Sequence, residues 1–166
     1  MDPSRAYIIL HVLGVHKIAV RSDAITWRCP ACSEVGHFVP FATVDSLLTD
    51  TARKNLKDDH FFVCLTSDCD IVYFSHDTVF SQMDIVVPVA WKDEAQPKFV
   101  CYCNRVTEDE ILQAVVHDGA ETMQDIARLT GAMKNGKCLK NNPKGVCCHK
   151  DIETVLQRAL EFHSGE

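Results

Sequence analysis

The chain has 166 residues, 17 basic against 23 acidic for a formal net charge of −6, with 46% apolar and 24% charged side chains. That is the composition of an ordinary globular protein, and its acidic balance argues against phosphate-backbone binding, so nucleic acid is not an expected partner. Nine cysteines are many for this length, and an odd number fits a closed disulfide framework poorly. In a reducing cytoplasm such spacings read as metal ligands.

The segment from Ala6 to Val20 is apolar but interrupted by His11, His16 and Lys17. It is too short to span a membrane and lacks a small-residue cleavage site, so no membrane association and no export are expected, and the expected location is the cytoplasm. Tyr7 to Val20 is rich in β-branched residues and predicts a strand or hairpin, with Gly14 near a turn. His11 and His16 read as ordinary partly buried or surface histidines.

Residues 25–75 read as a zinc ribbon. Ile25, Thr26, Trp27 and Arg28 lead into the knuckle Cys29-Pro30-Ala31-Cys32, and Gly36 permits the chain to reverse. Tetrahedral zinc with Zn–S near 2.3 Å needs sulfurs about 3.7 Å apart, which a tight Cys-x2-Cys turn can supply. The second knuckle, Cys64-x4-Cys69, lies between the β-rich runs His60–Val63 and Ile71–Phe74, the pattern of a hairpin. Between the knuckles, Thr43–Leu48 predicts a short helix capped by Thr43. The candidate zinc ligands are Cys29, Cys32, Cys64 and Cys69, with His37 or His60 as possible substitutes. A redox pair would account for Cys29 and Cys32 but not for the second knuckle.

Val86–Val89 predicts an edge strand because Pro88 removes a ladder donor. Lys92–Pro97 is polar and expected to be exposed. The domain boundary is expected here, giving a β-rich zinc-binding domain at 1–97 and a helical domain at 98–166. Two halves of roughly 75 residues would each bury a thin core and want a metal staple.

Helical signals dominate beyond residue 100. Thr107-Glu108-Asp109-Glu110 is a capping-box pattern that opens a helix through Ile111, Leu112, Val115 and Val116, ended by Gly119. Thr122-Met123-Gln124-Asp125 opens a second, up to Gly131. A third runs from about Asp151 to Phe162 with Ile152, Val155, Leu156 and Leu160 on one face. The fold class is therefore α+β. The remaining cysteines, Cys101, Cys103, Cys138, Cys147 and Cys148, fall in the loops before the first helix and between the second and third. Helix N-termini there would stabilise negative charge, and four thiolates are the ligand set of an iron–sulfur cluster. Gly136 and Gly145 would let the loop backbone approach the sulfides.

Cys101-Tyr102-Cys103, the helix at Thr107-x2-Glu110, Thr130-Gly131-Ala132 and Gly136-Lys137-Cys138 resemble the 2Fe–2S domain of bacterioferritin-associated ferredoxins. That family ends on Cys-x2-Cys, whereas Cys138 has no partner at that distance. The variant Cys138-x8-Cys147-Cys148, following a zinc ribbon, resembles the amino-terminal domain of CopZ-type copper chaperones over residues 25–160. The resemblance implies a 2Fe–2S cluster held by Cys101, Cys103, Cys138 and Cys148, the last chosen over Cys147 on family spacing. Those chaperones carry a further domain with a Met-x-Cys-x2-Cys copper loop. No such loop occurs in these 166 residues, and copper transfer through one is not expected of them.

The resemblance implies a metallochaperone or its accessory component, with zinc in one half, one-electron transfer in the other, and a redox or metal-handling protein as partner. Cys147, if free, is a candidate for capturing Cu(I). The alternative is an interaction or redox-sensing module. An enzyme is not expected: no nucleophile–base–orienter set is visible, and His117, His149 and His163 read as surface residues.

Overall fold

The structure, a computed structural model, describes residues 27–164. The strand or hairpin expected at Tyr7–Val20, with Gly14, His11 and His16, and the start of the ribbon's lead-in at Ile25 and Thr26, lie outside the described residues. Both sheets and helices are present, sheet first and helices after, as an α+β fold.

The first half is a four-stranded antiparallel meander: β1 (His37–Val39), β2 (Phe61–Val63), β3 (Ile71–Phe74) and β4 (Val79–Ser81), paired in that order. The expected hairpin is β2–β3, with Phe62 opposite Phe74 and Val63 opposite Tyr73. Val39, Phe61, Val63, Tyr73 and Phe80 build one core with Val44, Leu47 and Leu48. At the knuckle end, Trp27 stacks on Phe62 at 5.4 Å and Phe62 on Phe74 at 5.9 Å. Gly36 is required there, because a Cβ would lie 2.4 Å from Phe74 Cζ and 2.8 Å from Phe62 Cβ.

Three local expectations in this half are corrected. The first helix, α1 (Phe41–Leu47), starts from Pro40 without a side-chain cap. Thr43 lies inside it, wholly buried, and donates to the carbonyl of Leu139 at 2.6 Å. A one-turn α2 (Asp50–Arg53) follows, capped by Thr49. Val86–Val89 forms no strand: Ile85 makes one isolated bridge to Leu48, and the chain then turns Val87 and Val89 onto the core. Lys92 is not exposed but fully buried.

The second half opens with a two-stranded ribbon, β5 (Phe99–Cys101) and β6 (Val106–Thr107). Both capping boxes form: Thr107 and Glu110 open α3 (Glu108–Val116), and Thr122 and Asp125 open α4 (Met123–Thr130). In the second box the Thr122 hydroxyl, helped by Arg128, holds the Asp125 carboxyl down at about 2. Gly131 ends α4 at φ +80°, in the left-handed region where glycine carries no Cβ penalty. A short α5 (Cys138–Asn141) follows, then α6 (His149–Ser164), which begins two residues before the expected Asp151. Ile111, Val115, Ile126, Ile152 and Leu156 form the core between α3, α4 and α6. Among the described residues no helix is long and apolar enough to cross a membrane.

The two halves meet along residues 139–146. Besides Thr43 on Leu139, Tyr73 Oη donates to the Pro143 carbonyl at 2.8 Å. Gly145, at φ +69°, leaves only 2.8 Å between an added Cβ and either Pro40 Cδ or Thr43 Oγ1. Lys144 Nζ sits 5.6 Å above the Trp91 ring and pairs with Asp151 at 2.8 Å.

Candidate metal centres

The first centre is built by two turns facing each other. Cys29 and Cys32 occupy a turn closed by Cys29 N–H to the Glu34 carbonyl at 2.8 Å and by the bridge between Arg28 and Val35. Cys64 and Cys69 flank the β2–β3 connection. The sulfurs of Cys29, Cys32, Cys64 and Cys69 all lie within 4.8 Å of one another. Cys29 to Cys69 is 3.8 Å and Cys32 to Cys64 is 3.6 Å, close to the separation of about 3.7 Å that tetrahedral tetrathiolate zinc requires. The donor set therefore fits zinc. His37 and His60 are exposed and stand outside the group, so no histidine substitutes for a thiol.

The four thiols are not equivalent. Burial pushes Cys69 up to about 12 and raises Cys29 as well. Cys32 is more open: the Thr66 hydroxyl, 3.4 Å away, and the backbone around Glu34 bring it down to about 6. Cys32 thus ionises more readily than Cys29 or Cys69, and the burial of those two favours a bound cation over free thiolates.

Lys92 supports the second knuckle. Its Nζ donates to the carbonyls of Thr66 and Ile71 at 2.7 and 2.8 Å, holding both ends of the Cys64–Cys69 turn. Trp91 Nε1 donates to the Cys64 carbonyl at 3.0 Å. Lys92→Met keeps the apolar stem and removes both donors, leaving two carbonyls short of a partner. Charge-assisted hydrogen bonds are worth about 1.5–3 kcal/mol each, and the net loss expected is about 2–4 kcal/mol. Urea unfolding of the zinc-loaded protein checks this. An unchanged midpoint would show that the lysine does not hold the knuckle.

The second centre lies between β5, α5 and α6. Cys103 Sγ is 3.7 Å from Cys138 Sγ, and the buried Cys101 and Cys148 thiols lie near enough to perturb each other electrostatically. Two such pairs match a cluster in which each of two irons takes two thiolates. Cys101 and Cys148 are buried, whereas Cys103 and Cys138 are half-buried. Backbone N–H groups point at the sulfurs: Lys137 at Cys103, 3.1 Å, and Met133 at Cys101, 3.5 Å. Asn104 Nδ2 reaches Cys101 Sγ at 3.7 Å while also holding the Lys134 carbonyl at 2.8 Å. Burial works against ionisation of Cys101, but the N–H groups of Met133 and Asn104 outweigh it and leave that thiol lowered. Burial pushes Cys138 up to about 11 and also raises Cys148. Cys148 immediately precedes α6, its carbonyl accepting from Ile152 N–H at 3.0 Å, so its thiol lies at the positive end of that helix. The donors and the pairing fit a 2Fe–2S cluster.

Cys147 is exposed and outside both sulfur pairs. His117, His149 and His163 are exposed. Of the two loop glycines, Gly136 would meet Cys138 Sγ only at an ordinary 3.7 Å, and Gly145 faces Pro40 and Thr43 rather than the cluster thiols. Asn104, Met133, Thr66 and Lys92 were not singled out by the sequence. Asn104 carried a signal, its amide lying one residue from the candidate cluster thiol Cys103.

A ribbon whose four thiols fit zinc, joined to a helical site whose thiols fit a 2Fe–2S cluster, defines a two-centre metalloprotein. Residues 26–86 match the CopZ-type family model described as a zinc binding domain, and residues 99–158 match the BFD-like 2Fe-2S binding domain. The copper chaperone CopZ of Archaeoglobus fulgidus is 40% identical over 128 residues, covering 77% of this chain. The chain spans 61% of the length of that relative. The X-ray structure of the Archaeoglobus fulgidus CopZ N-terminal domain is similar with a TM-score of 0.67 and 37% identity, over 78% of this chain and 97% of that one. The chain belongs to the CopZ family, and zinc and a 2Fe–2S cluster are the cofactors of its two domains.

Proposed function

We propose that this chain is a metallochaperone component that carries single electrons in metal handling. In this reading the domains are 1–97 and 98–166. Zinc is held by Cys29, Cys32, Cys64 and Cys69 and is structural. The cluster is held by Cys101, Cys103, Cys138 and Cys148. The observation that carries the reading is the asymmetric second site: one thiol pair buried, the other half-buried, with N–H groups aimed at both. A 2Fe–2S cluster supplies one-electron chemistry when bound. The chain's own residues fix its ligands, donate hydrogen bonds to the sulfurs, and leave the Cys103–Cys138 edge accessible to a redox or metal-handling partner. The exposed Cys147 thiol takes Cu(I), a soft cation suited to thiolate. The protein works in the cytoplasm, whose reducing conditions keep nine thiols available.

The test is an anaerobic preparation whose iron, sulfide and zinc are measured on one sample, followed by a reductive titration watched in the visible spectrum. About two irons, two sulfides and one zinc per chain, with reversible uptake of about one electron, is the expected result. A loaded cluster that cannot be reduced would sink the electron-carrier reading and leave a structural or sensing role. Unchanged copper stoichiometry in Cys147→Ser would remove Cu(I) from that thiol.

A further inference from the structure

The charge of this chain is unevenly placed. Residues 126–150 contain Arg128 and five lysines and no acidic residue, so the rest of the chain carries −12 against a total of −6. This segment is also the one that encloses the second centre. Lys137 N–H touches Cys103 Sγ, and the Lys134 carbonyl is tied through Asn104 to Cys101. Lys140 lies in α5 behind Cys138, and Lys150 in the first turn of α6 behind Cys148. All four lysines are exposed, and none is in an ion pair with another described residue. Among them, Leu139 is 48% and Val146 56% exposed, next to the half-buried Cys138 and the exposed Cys147.

An apolar centre rimmed by unpaired charge is the anatomy of a protein docking surface. We infer that this face binds an acidic patch on a protein partner, seating it over the Cys103–Cys138 edge. The exposed Leu139 and Val146 favour a protein over a phosphate backbone, which offers charge but no apolar surface to cover them. The −12 of the remaining chain would repel a long polyanion but leaves a compact acidic patch free to approach. The inference rests on the reading of the second centre as the cluster site, since that reading makes the edge the place where a partner matters.

The test uses the whole metal-loaded protein, with an acidic flavodoxin as probe and both proteins oxidised, so that only binding is read. Between ionic strengths of about 0.01 and about 0.15 M, affinity is expected to fall at least about tenfold, because the Debye length shrinks from about 30 to about 8 Å. The fourfold variant Lys134→Glu, Lys137→Glu, Lys140→Glu, Lys150→Glu is expected to abolish binding. The fourfold glutamine variant, milder for folding, is expected to flatten the salt dependence. Salt-independent binding, or variants that bind like the parent, would overturn the proposal. So would equal or tighter binding of a short DNA duplex, or of a lysine-rich cationic protein. Iron and sulfide analysis of the same sample separates the two readings: absent iron defeats the cluster assignment, whereas a loaded protein with the wrong salt response defeats only the docking surface.

Discussion

Cys64→Ser is expected to unfold the amino-terminal half. Cys64 is 1% exposed and sits in a cluster with Cys29, Cys69 and Phe74, flanked by Trp27 and Phe62. The sheet above it is small, with strands of three or four residues. A core of that size supplies only a few kcal/mol by itself, while structural zinc in small domains contributes apparent free energies of about 10–16 kcal/mol. Serine is a poor zinc ligand, and its hydroxyl would be buried among three thiols and aromatic rings. The expected loss exceeds about 4 kcal/mol, at the diagnostic end of single-substitution effects. Zinc analysis, fluorescence from Trp27 and Trp91, and far-UV circular dichroism read the outcome together. Trp91 is informative because its indole donates to the Cys64 carbonyl. A variant that keeps its zinc and its unfolding midpoint would show that this thiol is no ligand.

The adjacent pair Cys147 and Cys148 is expected to respond in opposite ways. Cys148 is 2% exposed and lies against Cys101, whereas Cys147 faces solvent. Cys148→Ser is expected to lose most of its iron and visible absorption. Cys147→Ser is expected to retain both. The two residues lie in the turn that leads into α6, and burial separates them: the Cys148 thiol is packed inside while the Cys147 thiol stays in solvent. Anaerobic preparations of both variants, compared by iron content and spectrum, decide it. Loss in Cys147→Ser with retention in Cys148→Ser would reverse the assignment.

Much of this arrangement was legible because it is local. The capping boxes at Thr107–Glu110 and Thr122–Asp125, the stop at Gly131 and the β2–β3 hairpin depend on residues a few positions apart, and they form where expected. The convergence of Cys29, Cys32, Cys64 and Cys69 was legible because knuckle spacing is itself a sequence property. What escaped depends on distant chain. Lys92 reads as exposed from its polar neighbours, yet two carbonyls of the Cys64–Cys69 turn bury it. Thr43 reads as a cap, yet its hydroxyl serves Leu139, far along the chain. Val86–Val89 has strand composition, but with Pro88 in its middle and a core to fill it takes no strand partner. Gly145 was expected near the cluster for want of any sign that Pro40 would occupy the space beside it.

The loop between Cys138 and Cys148 has its back against Thr43, Tyr73 and Trp91, residues that the zinc half holds in place. Ordering the ribbon lowers the cost of ordering the loop, so zinc bound at one end is expected to raise the affinity for a cluster at the other. Such linkage is reciprocal: the cluster is then expected to tighten zinc by the same factor.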